Sequence, residues 1–126
     1  MNSEPHLFER IYAGDAQGIA EVVEFLHQNE LNMDDFIEVF LIARNEAGEM
    51  IACGGIAPGV IKCVAIDGRY RGQGIALSLS SALIQLAAEH GYHRLFIYTK
   101  PENEALFAGC GFYPLASVPE RVVLLE

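Results

Sequence analysis

The first apolar residues of the chain recur at a helical spacing. After Asp15, whose side chain suits an N-cap, they come every three or four positions: Ile19, Val22, Val23 and Leu26. This spacing predicts an amphipathic first helix that ends near Asn29. From Phe36 the pattern becomes β-rich, with runs FIEVFLIAR, MIACGGIA and VIKCVAI separated by a turn at NEAG and a break at Pro58-Gly59. These runs predict a three-stranded antiparallel meander.

The second half of the chain alternates helical and β-rich segments. Residues 75–90 carry one apolar stripe that predicts a long helix, ended by Gly91: Ile75, Leu79, Leu83, Leu86, Ala87 and His90. RLFIYTK predicts a strand, PENEALFAGCG a short helix, and FYPLASV and RVVLLE two closing strands. The order βα, three strands, α, β, α, β, β predicts an α/β (α+β) fold with a mixed sheet and helices on both faces.

Length and charge narrow the functional classes. A chain of 126 residues with 52% hydrophobic residues predicts a single folded domain over 1–126. A net charge of −9 argues against nucleic acid and membrane partners, which need clustered cations. The start MNSEPHLFER has no basic region followed by an apolar one, so we expect a cytoplasmic protein.

The charge is also unevenly placed. Residues 1–49 hold eleven acidic and two basic residues, whereas residues 50–126 hold six of each. The acidic half can be a solvated face or a docking surface for a cationic partner. An anionic cofactor is expected in the second half, where the following cations lie: Lys62, Arg69, Arg71, Arg94 and Lys100.

The three cysteines do not indicate a metal site. Cys53, Cys63 and Cys110 are odd in number and widely spaced, and no C-x-x-C pair is present. We therefore predict reduced core thiols and no metal.

A glycine-rich loop joins a predicted buried strand to the long helix in the segment VAIDGRYRGQGIA. The first turn of a helix leaves backbone N–H groups unpaired at the positive end of the helix dipole, where a phosphate group is stabilised. Gly72 and Gly74 allow the main chain to approach such a group, and Arg71 can add a charged contact. A tight structural turn remains the alternative.

The loop matches neither common nucleotide motif. The chain contains no G-x-x-x-x-G-K-[ST], and Leu77 stands where G-x-G-x-x-G needs its third glycine. ATP and NAD are therefore poor candidates for this loop.

Arg71-Gly72-Gln73-Gly74-Ile75-Ala76 resembles the R/Q-x-x-G-x-G/A signature of the GNAT acyltransferase superfamily. The resemblance implies the GNAT fold, with a mixed, mostly antiparallel sheet, and acetyl-CoA as cofactor. It implies that the diphosphate binds the loop, with the amides of Gly72, Gln73, Gly74 and Ala76 as donors. It also implies that the backbone of Val64, Ala65 and Ile66 binds the pantetheine arm.

Catalytic residues are not identified by the resemblance. The general acid of the superfamily is usually a tyrosine, but the matching position here is Phe107, which has no proton to give. Tyr98 and Tyr70 are other hydroxyls, and Glu38, Glu102 and Glu104 are conceivable bases without a supporting motif. Cys63 beside Lys62 is expected to be a buried thiol rather than an acyl acceptor.

Within the superfamily, several segments together resemble the N-terminal domain of the citrate lyase ligase family: IACGGIA, IKCVAI, RGQGIAL, RLFIYTK, EALFAGCGF and ASVP. The resemblance implies the N-terminal part of a longer ligase that acetylates the thiol of a phosphoribosyl-dephospho-coenzyme A group on the citrate lyase acyl carrier subunit. It implies that ATP and acetate bind in a second domain absent from this chain. His90-Gly91-Tyr92-His93 is the nearest string to that domain's H-x-G-H motif, and its glycine is misplaced.

Two other functions remain open from the sequence. The chain can be a stand-alone acetyl-CoA-dependent N-acetyltransferase acting on an amine, or an interaction domain that uses its acidic half. The acyl acceptor and the oligomeric state are not determined by the sequence.

Overall fold

The computed structural model describes residues 8–72 and 74–109, and the backbone of 114–118 and 122–125; the side chains of 102, 104 and 106 are not described. Its strands are β1 (Glu9–Tyr12), β2 (Val39–Arg44), β3 (Met50–Ala57), β4 (Val60–Ile66), β5 (Phe96–Thr99), β6 (Pro114–Val118) and β7 (Val122–Leu125). Its helices are α1 (Ala16–Gln28), α2 (Ile75–Glu89) and α3 (Glu104–Ala108), with 3₁₀ turns at Gly68–Tyr70 and Pro101–Asn103.

In the described part of the chain the seven strands form one sheet, in the order β1-β2-β3-β4-β5-β7-β6. Neighbouring strands are antiparallel except β4 and β5, which are parallel. The predicted meander corresponds to β2, β3 and β4, and the predicted mixed, mostly antiparallel sheet is confirmed.

Helix α1 begins and ends where the sequence predicts. The Asp15 carboxylate accepts a hydrogen bond from the backbone N–H of Gly18 at 2.9 Å, as an N-cap does. The helix buries Val22, Phe25 and Leu26 against the sheet. At its end the Asn29 side chain donates to the carbonyl of Phe25 at 2.9 Å.

The strand predicted from Phe36 begins only at Val39. Phe36 has φ +66° and its side chain is 80% exposed, so this residue belongs to the loop after α1 rather than to the ladder. From Val39 onward the side chains alternate between two clusters, with Val39 and Leu41 on one face and Phe40 and Ile42 on the other.

These two clusters are the two layers of the core. The Phe40 cluster includes the buried residues of α1, whereas the Val39 cluster includes those of α2 together with Phe107 of α3. Helices therefore cover both faces of the sheet, as predicted. A strand covered on both faces is buried at nearly every position, which explains the unbroken apolar run in β2.

Helix α2 starts after Gly74 and ends before Gly91, as predicted. Its stripe is buried at Ile75, Leu79, Leu83, Leu86 and Ala87, but the inclusion of His90 was wrong: His90 is the C-cap and is exposed. Gly91 has φ +86°, the left-handed conformation that ends many helices. None of the helices in the described residues has the length and apolarity needed to cross a bilayer.

An irregularity in β4 changes which side chains of this strand lie on which face of the sheet. Cys53 of β3 pairs with Ala65, but Gly55 pairs with Lys62, so β4 has one extra residue between these pairs. Cys63, in this interval, has φ +57°. As a result Ile61, Val64 and Ile66 lie in the α2 layer, while Cys63 and Ala65 lie in the α1 layer.

Arg44, the last residue of β2, ties α1 and β1 to the meander. Its guanidinium donates to both carboxylate oxygens of Glu21 at 2.5 and 2.7 Å, to Glu9 at 3.1 Å and to the carbonyl of Gly48 at 3.1 Å. The hydrogen bond from Arg44 lowers the pKa of Glu21 below its usual range. This paired geometry distinguishes Arg44 from an ordinary surface cation.

We predict that Arg44→Met lowers the free energy of unfolding by about 1 kcal/mol near neutral pH, measured by urea denaturation. Because the pKa of Glu21 is lower in the folded chain, the ion pair stabilises the fold above the carboxylate's ordinary pKa and is lost as pH falls. The difference from wild type should therefore shrink below about pH 4.

Arg10→Met is the matched control, since Arg10 contacts Glu89 at 3.5 Å with both side chains about half exposed. It should leave the unfolding midpoint nearly unchanged. A loss of stability in Arg44→Met that is independent of pH would contradict the ion-pair explanation.

Candidate functional site

The glycine-rich loop lies at the start of α2, where the sequence predicted it. Gly72 and Gly74 have φ +84° and +81°, so both need the conformation that glycine adopts most easily. Gly74 is the N-cap and no side chain caps the helix. The first backbone N–H groups of α2, from Ile75 onward, are therefore directed out of the helix end. Gln73 lies outside the described residues.

The space outside this loop is open. A Cβ atom built on Gly72 or Gly74 meets no heavy atom within 4 Å. Arg71 is exposed, Ala76 is partly buried, and the Ile75 side chain is anchored in the core at 1% exposure. The main chain of the loop is therefore accessible from outside, while the buried Ile75 side chain holds the start of the helix in place.

The positive end of the α2 helix dipole lies beside the loop, and no acidic side chain in the first turn of that helix offsets it. The first turn of α2 contains no acidic residue. Asp67, the residue just before the loop, accepts from Arg69 at 2.8 and 3.2 Å, and these bonds lower the pKa of Asp67. The Asp67 charge is therefore matched by Arg69, and the field at the helix start favours an anion.

The predicted pantetheine strand has buried side chains and a free backbone edge. Val64, Ala65 and Ile66 are 2–3% exposed. Within the described residues β4 pairs with β5 only at Val60–Phe96 and Ile61–Ile97, and the ladder does not continue along Val64–Ile66. The two strands therefore diverge toward their carboxyl ends, on the side of the glycine-rich loop.

A cavity of about 290 Å³ occupies this divergence, and we call it the crevice. Its floor and walls come from β4, from the end of β5 and from the loop after α1: Cys63, Val64, Tyr98, Thr99, Lys100, Leu31, Asn32, Met33 and Asp34. A ligand at the opening between the ends of two parallel strands is the usual arrangement in sheets with this connection.

The loop after α1 is held over the crevice by contacts to both strands. Lys62 Nζ lies 3.4 Å from an Asp34 carboxylate oxygen. The Cys63 thiol donates to the carbonyl of Asn32 at 3.7 Å, and Lys100 donates to the carbonyl of Asn29. Sequence reasoning missed Asp34 and Thr99 and named Lys100 only as a cation. Lys100 comes directly after the predicted strand RLFIYTK, and a position at the end of a strand next to β4 was the signal that could have placed this residue at the crevice.

The candidate proton donors occupy different environments. Phe107 is fully buried in the α2 layer, consistent with the prediction that it packs in the core. Tyr98 is 38% exposed and lines the crevice. Tyr70 accepts a hydrogen bond from the Asn45 side chain at 3.2 Å, outside the crevice.

The candidate base Glu38 lies away from the crevice. It accepts a hydrogen bond from the Tyr92 hydroxyl at 2.6 Å, which raises the pKa of Tyr92, and His90 Nδ1 lies 3.6 Å away. Tyr92 and His90 follow the carboxyl end of α2, at the opposite end of the helix from the glycine-rich loop. The side chains of Glu102 and Glu104 lie outside the described residues.

The cysteines that the structure describes are free thiols, as predicted. Cys53 is fully buried, and burial raises its pKa far above the ordinary range. Burial also raises the pKa of the Cys63 thiol to about 11, so this crevice residue is neutral at physiological pH. Cys110 lies outside the described residues.

Comparison with known proteins identifies the class to which this architecture belongs. The model of the acetyltransferase (GNAT) family matches residues 7–113. Escherichia coli ElaA has a crystal structure that superposes with a TM-score of 0.74 at 13% identity, covering 94% of this chain and 97% of that one. The chain belongs to the acetyltransferase (GNAT) family.

Two relatives of this chain are ligases of the same kind. The citrate (pro-3S)-lyase ligase of Escherichia coli K12 is 50% identical over 121 residues, which cover 95% of this chain and 34% of the relative. That of Haemophilus influenzae is 45% identical over 119 residues, covering 94% and 35%. The chain thus spans about a third of the length of these relatives.

The raised pKa of Cys63 predicts slow alkylation near neutral pH. The thiolate is the reactive form, so the rate of carbamidomethylation by iodoacetamide should rise about tenfold per pH unit from about pH 7 to pH 10. Peptide-resolved mass spectrometry measures this rate. The fully buried Cys53 is the internal control and should stay unlabelled in the folded chain. A rate that levels off near the pKa of an ordinary thiol would show that Cys63 is more exposed than described.

Proposed function

We propose that this chain binds coenzyme A or the CoA-like prosthetic group of the citrate lyase acyl carrier subunit, as the N-terminal domain of a citrate lyase ligase. The diphosphate binds at Arg71–Ala76, including Gln73, and the pantetheine arm lies along Val64–Ile66. The observation that carries this proposal is the edge of β4 at Val64–Ile66, along which the described residues show no ladder to β5 and which leads into an open, glycine-bounded helix start.

The edge of β4 suits an amide-bearing chain. Backbone groups that face no neighbouring strand seek hydrogen-bond partners, and pantetheine carries two amides that can serve like an added strand. Because the side chains of Val64 and Ile66 are buried, only the main chain of this segment is offered to a ligand. This mode of binding explains why the segment needs apolar residues and no polar side chain.

The helix start suits the diphosphate. Backbone N–H groups at an N-terminus and the helix dipole together stabilise negative charge, and glycines without Cβ atoms let the charge approach. Arg71 is the cation of the loop and adds a charge-assisted contact. The same chemistry recognises the diphosphate of coenzyme A and of its phosphoribosyl-dephospho derivative, so the loop does not discriminate between them.

The environments of the candidate catalytic residues favour holding the arm over transferring an acyl group. Phe107 cannot donate a proton, Cys63 is neutral with a pKa of about 11, and Glu38 is at the other end of α2. Holding and presenting a thiol needs none of these groups. The acetyl transfer, with ATP and acetate, is then the task of another domain of the ligase, as the similarity over a third of the relatives suggests.

A second function is an acetyl-CoA-dependent N-acetyltransferase acting on an amine. Family membership favours it, and so does the Tyr98 hydroxyl in the wall of the crevice. Incubation with acetyl-CoA and a panel of amines, followed by a thiol-release assay, separates the two functions. Binding without release supports the first, and steady turnover supports the second.

We predict that Gly74→Val raises the Kd for coenzyme A by at least about tenfold, because a branched side chain blocks approach of the diphosphate to the amides. Isothermal titration calorimetry measures the affinity. The matched control is Gly91→Val, at the other end of α2. Gly91 has φ +86° against +81° for Gly74, and a Cβ on either meets no heavy atom within 4 Å.

Both substitutions impose the same backbone strain on the ends of one helix, so they should lower thermal stability alike while only Gly74→Val weakens binding. The milder alanine pair gives the same comparison if the valine variants do not fold. Equal affinities for the Gly74 and Gly91 variants would refute the assignment of the loop.

A further inference from the structure

A second cavity, of about 520 Å³, lies beside the glycine-rich loop, and we call it the turn pocket. It is bounded by the turn between β2 and β3, by the start of β3 and by residues on either side of the loop, Tyr70 before it and Ile75 after it. Among the described residues it shares no lining with the crevice. A ligand with its diphosphate at the loop and its arm in the crevice can therefore reach the turn pocket with its other end.

The size and the side chains of the turn pocket suit a nucleoside. Its volume lies in the range of small-molecule sites. Ile51 and Ile75 supply apolar side chains, and Tyr70 supplies an aromatic ring. In coenzyme A and its derivatives the nucleoside is joined directly to the diphosphate, so it must lie next to the glycine-rich loop when the diphosphate binds there.

The Tyr70 hydroxyl provides a hydrogen-bond donor to this pocket. Asn45 Oδ1 accepts from the backbone N–H groups of Ala47 and Glu49, both at 2.9 Å, and these two bonds fix the orientation of the amide. Asn45 Nδ2 is therefore the atom that donates to the Tyr70 oxygen at 3.2 Å. Within the described residues no group accepts the Tyr70 proton. The hydroxyl can donate to a ring nitrogen or a ribose oxygen of a nucleoside.

The charges of the turn pocket do not favour a further phosphate group. The cation of its lining is Arg44, whose guanidinium is already bound by two carboxylates. The acidic residue, Glu46, is exposed and forms no ion pair within the described part of the chain. Arg69, next to Tyr70, is paired with Asp67 at 2.8 Å. The lining therefore carries an unmatched negative charge beside the loop.

We infer that the turn pocket receives the nucleoside of the bound ligand and selects against a phosphate on its ribose, with Glu46 as the residue that determines this specificity. The preferred ligand class is the dephospho form of coenzyme A, whereas coenzyme A itself carries a 3′-phosphate on the ribose. The inference rests on the proposed function, because it requires the diphosphate to lie at the glycine-rich loop. The loop binds both forms, and the turn pocket discriminates between them.

The test compares two ligands that differ only in the 3′-phosphate. Calorimetry gives the Kd of dephospho-coenzyme A and of coenzyme A for the intact chain, and their ratio measures the selection. At an ionic strength of about 50 mM we expect dephospho-coenzyme A to bind about fivefold more tightly, because the 3′-phosphate is repelled by the carboxylate. The ratio should approach one at about 1 M salt, where the charges are screened.

Glu46→Gln removes the charge with little change of shape and should lower the ratio to about twofold or less, whereas Glu46→Lys should reverse the preference. Glu89→Gln is the matched control, since it changes the net charge by the same amount at the other end of α2, where Glu89 lies 3.5 Å from Arg10. This variant should keep the wild-type ratio.

Tyr70→Phe tests the contact to the nucleoside. Loss of the donor should raise the Kd of both ligands about threefold and leave their ratio unchanged, because the hydroxyl contacts the part that the two ligands share. An unchanged affinity of Tyr70→Phe for both ligands would place the nucleoside outside the turn pocket and overturn the inference.

The outcomes separate the inference from the function beneath it. If coenzyme A binds as tightly as its dephospho form, or if Glu46→Gln keeps the wild-type ratio, the selection by the turn pocket is wrong and the proposed function stands. If neither ligand binds, both are wrong. Because the readout is a ratio between two ligands, a general loss of stability in a Glu46 variant does not imitate the expected result.

Discussion

The extra residue in β4 is the constraint on which the site depends. A strand of strict alternation would place Ile61 and Cys63 on the same face, but the irregularity puts Cys63 in the α1 layer and returns Val64 and Ile66 to the α2 layer. The strand can then seal the core beneath α2 while its edge separates from β5. The extra residue in β4 thus accounts both for the opening between β4 and β5 and for the continuous apolar face beneath α2.

The two ends of this opening differ in the source of their positive charge. At the helix start, main-chain N–H groups provide positive potential without a dense cluster of cations, which explains how an acidic chain can offer an anion site. At the other end, lysines tie the loop after α1 to the strands. Part of the acidic first half is engaged elsewhere: Glu21 and Glu9 bind Arg44, and Glu38 binds Tyr92.

The sequence predicted most of the fold because local signals there agree with tertiary packing. Asp15 caps α1, Gly91 ends α2, and glycines 72 and 74 have the positive φ that their loop needs. It could not predict the irregularity at Cys63, since a cysteine with φ +57° has no local signature and the pairing with β3 decides it. Asp34 and Lys100 are far apart in the sequence and meet at the crevice only through the fold, and His90 was wrongly placed on the buried stripe because α2 ends at Glu89.

Within the described residues the parallel ladder between β4 and β5 is two residue pairs long, so the sheet there consists of two portions that meet along a short seam. Portions joined this way have separate opening equilibria, and the strands after α2 are expected to exchange their amide protons before the meander does. A molecule lying along the crevice touches both sides of the seam. Because such a ligand binds only when both portions are folded, its binding free energy would stabilise the carboxyl-terminal strands against local unfolding.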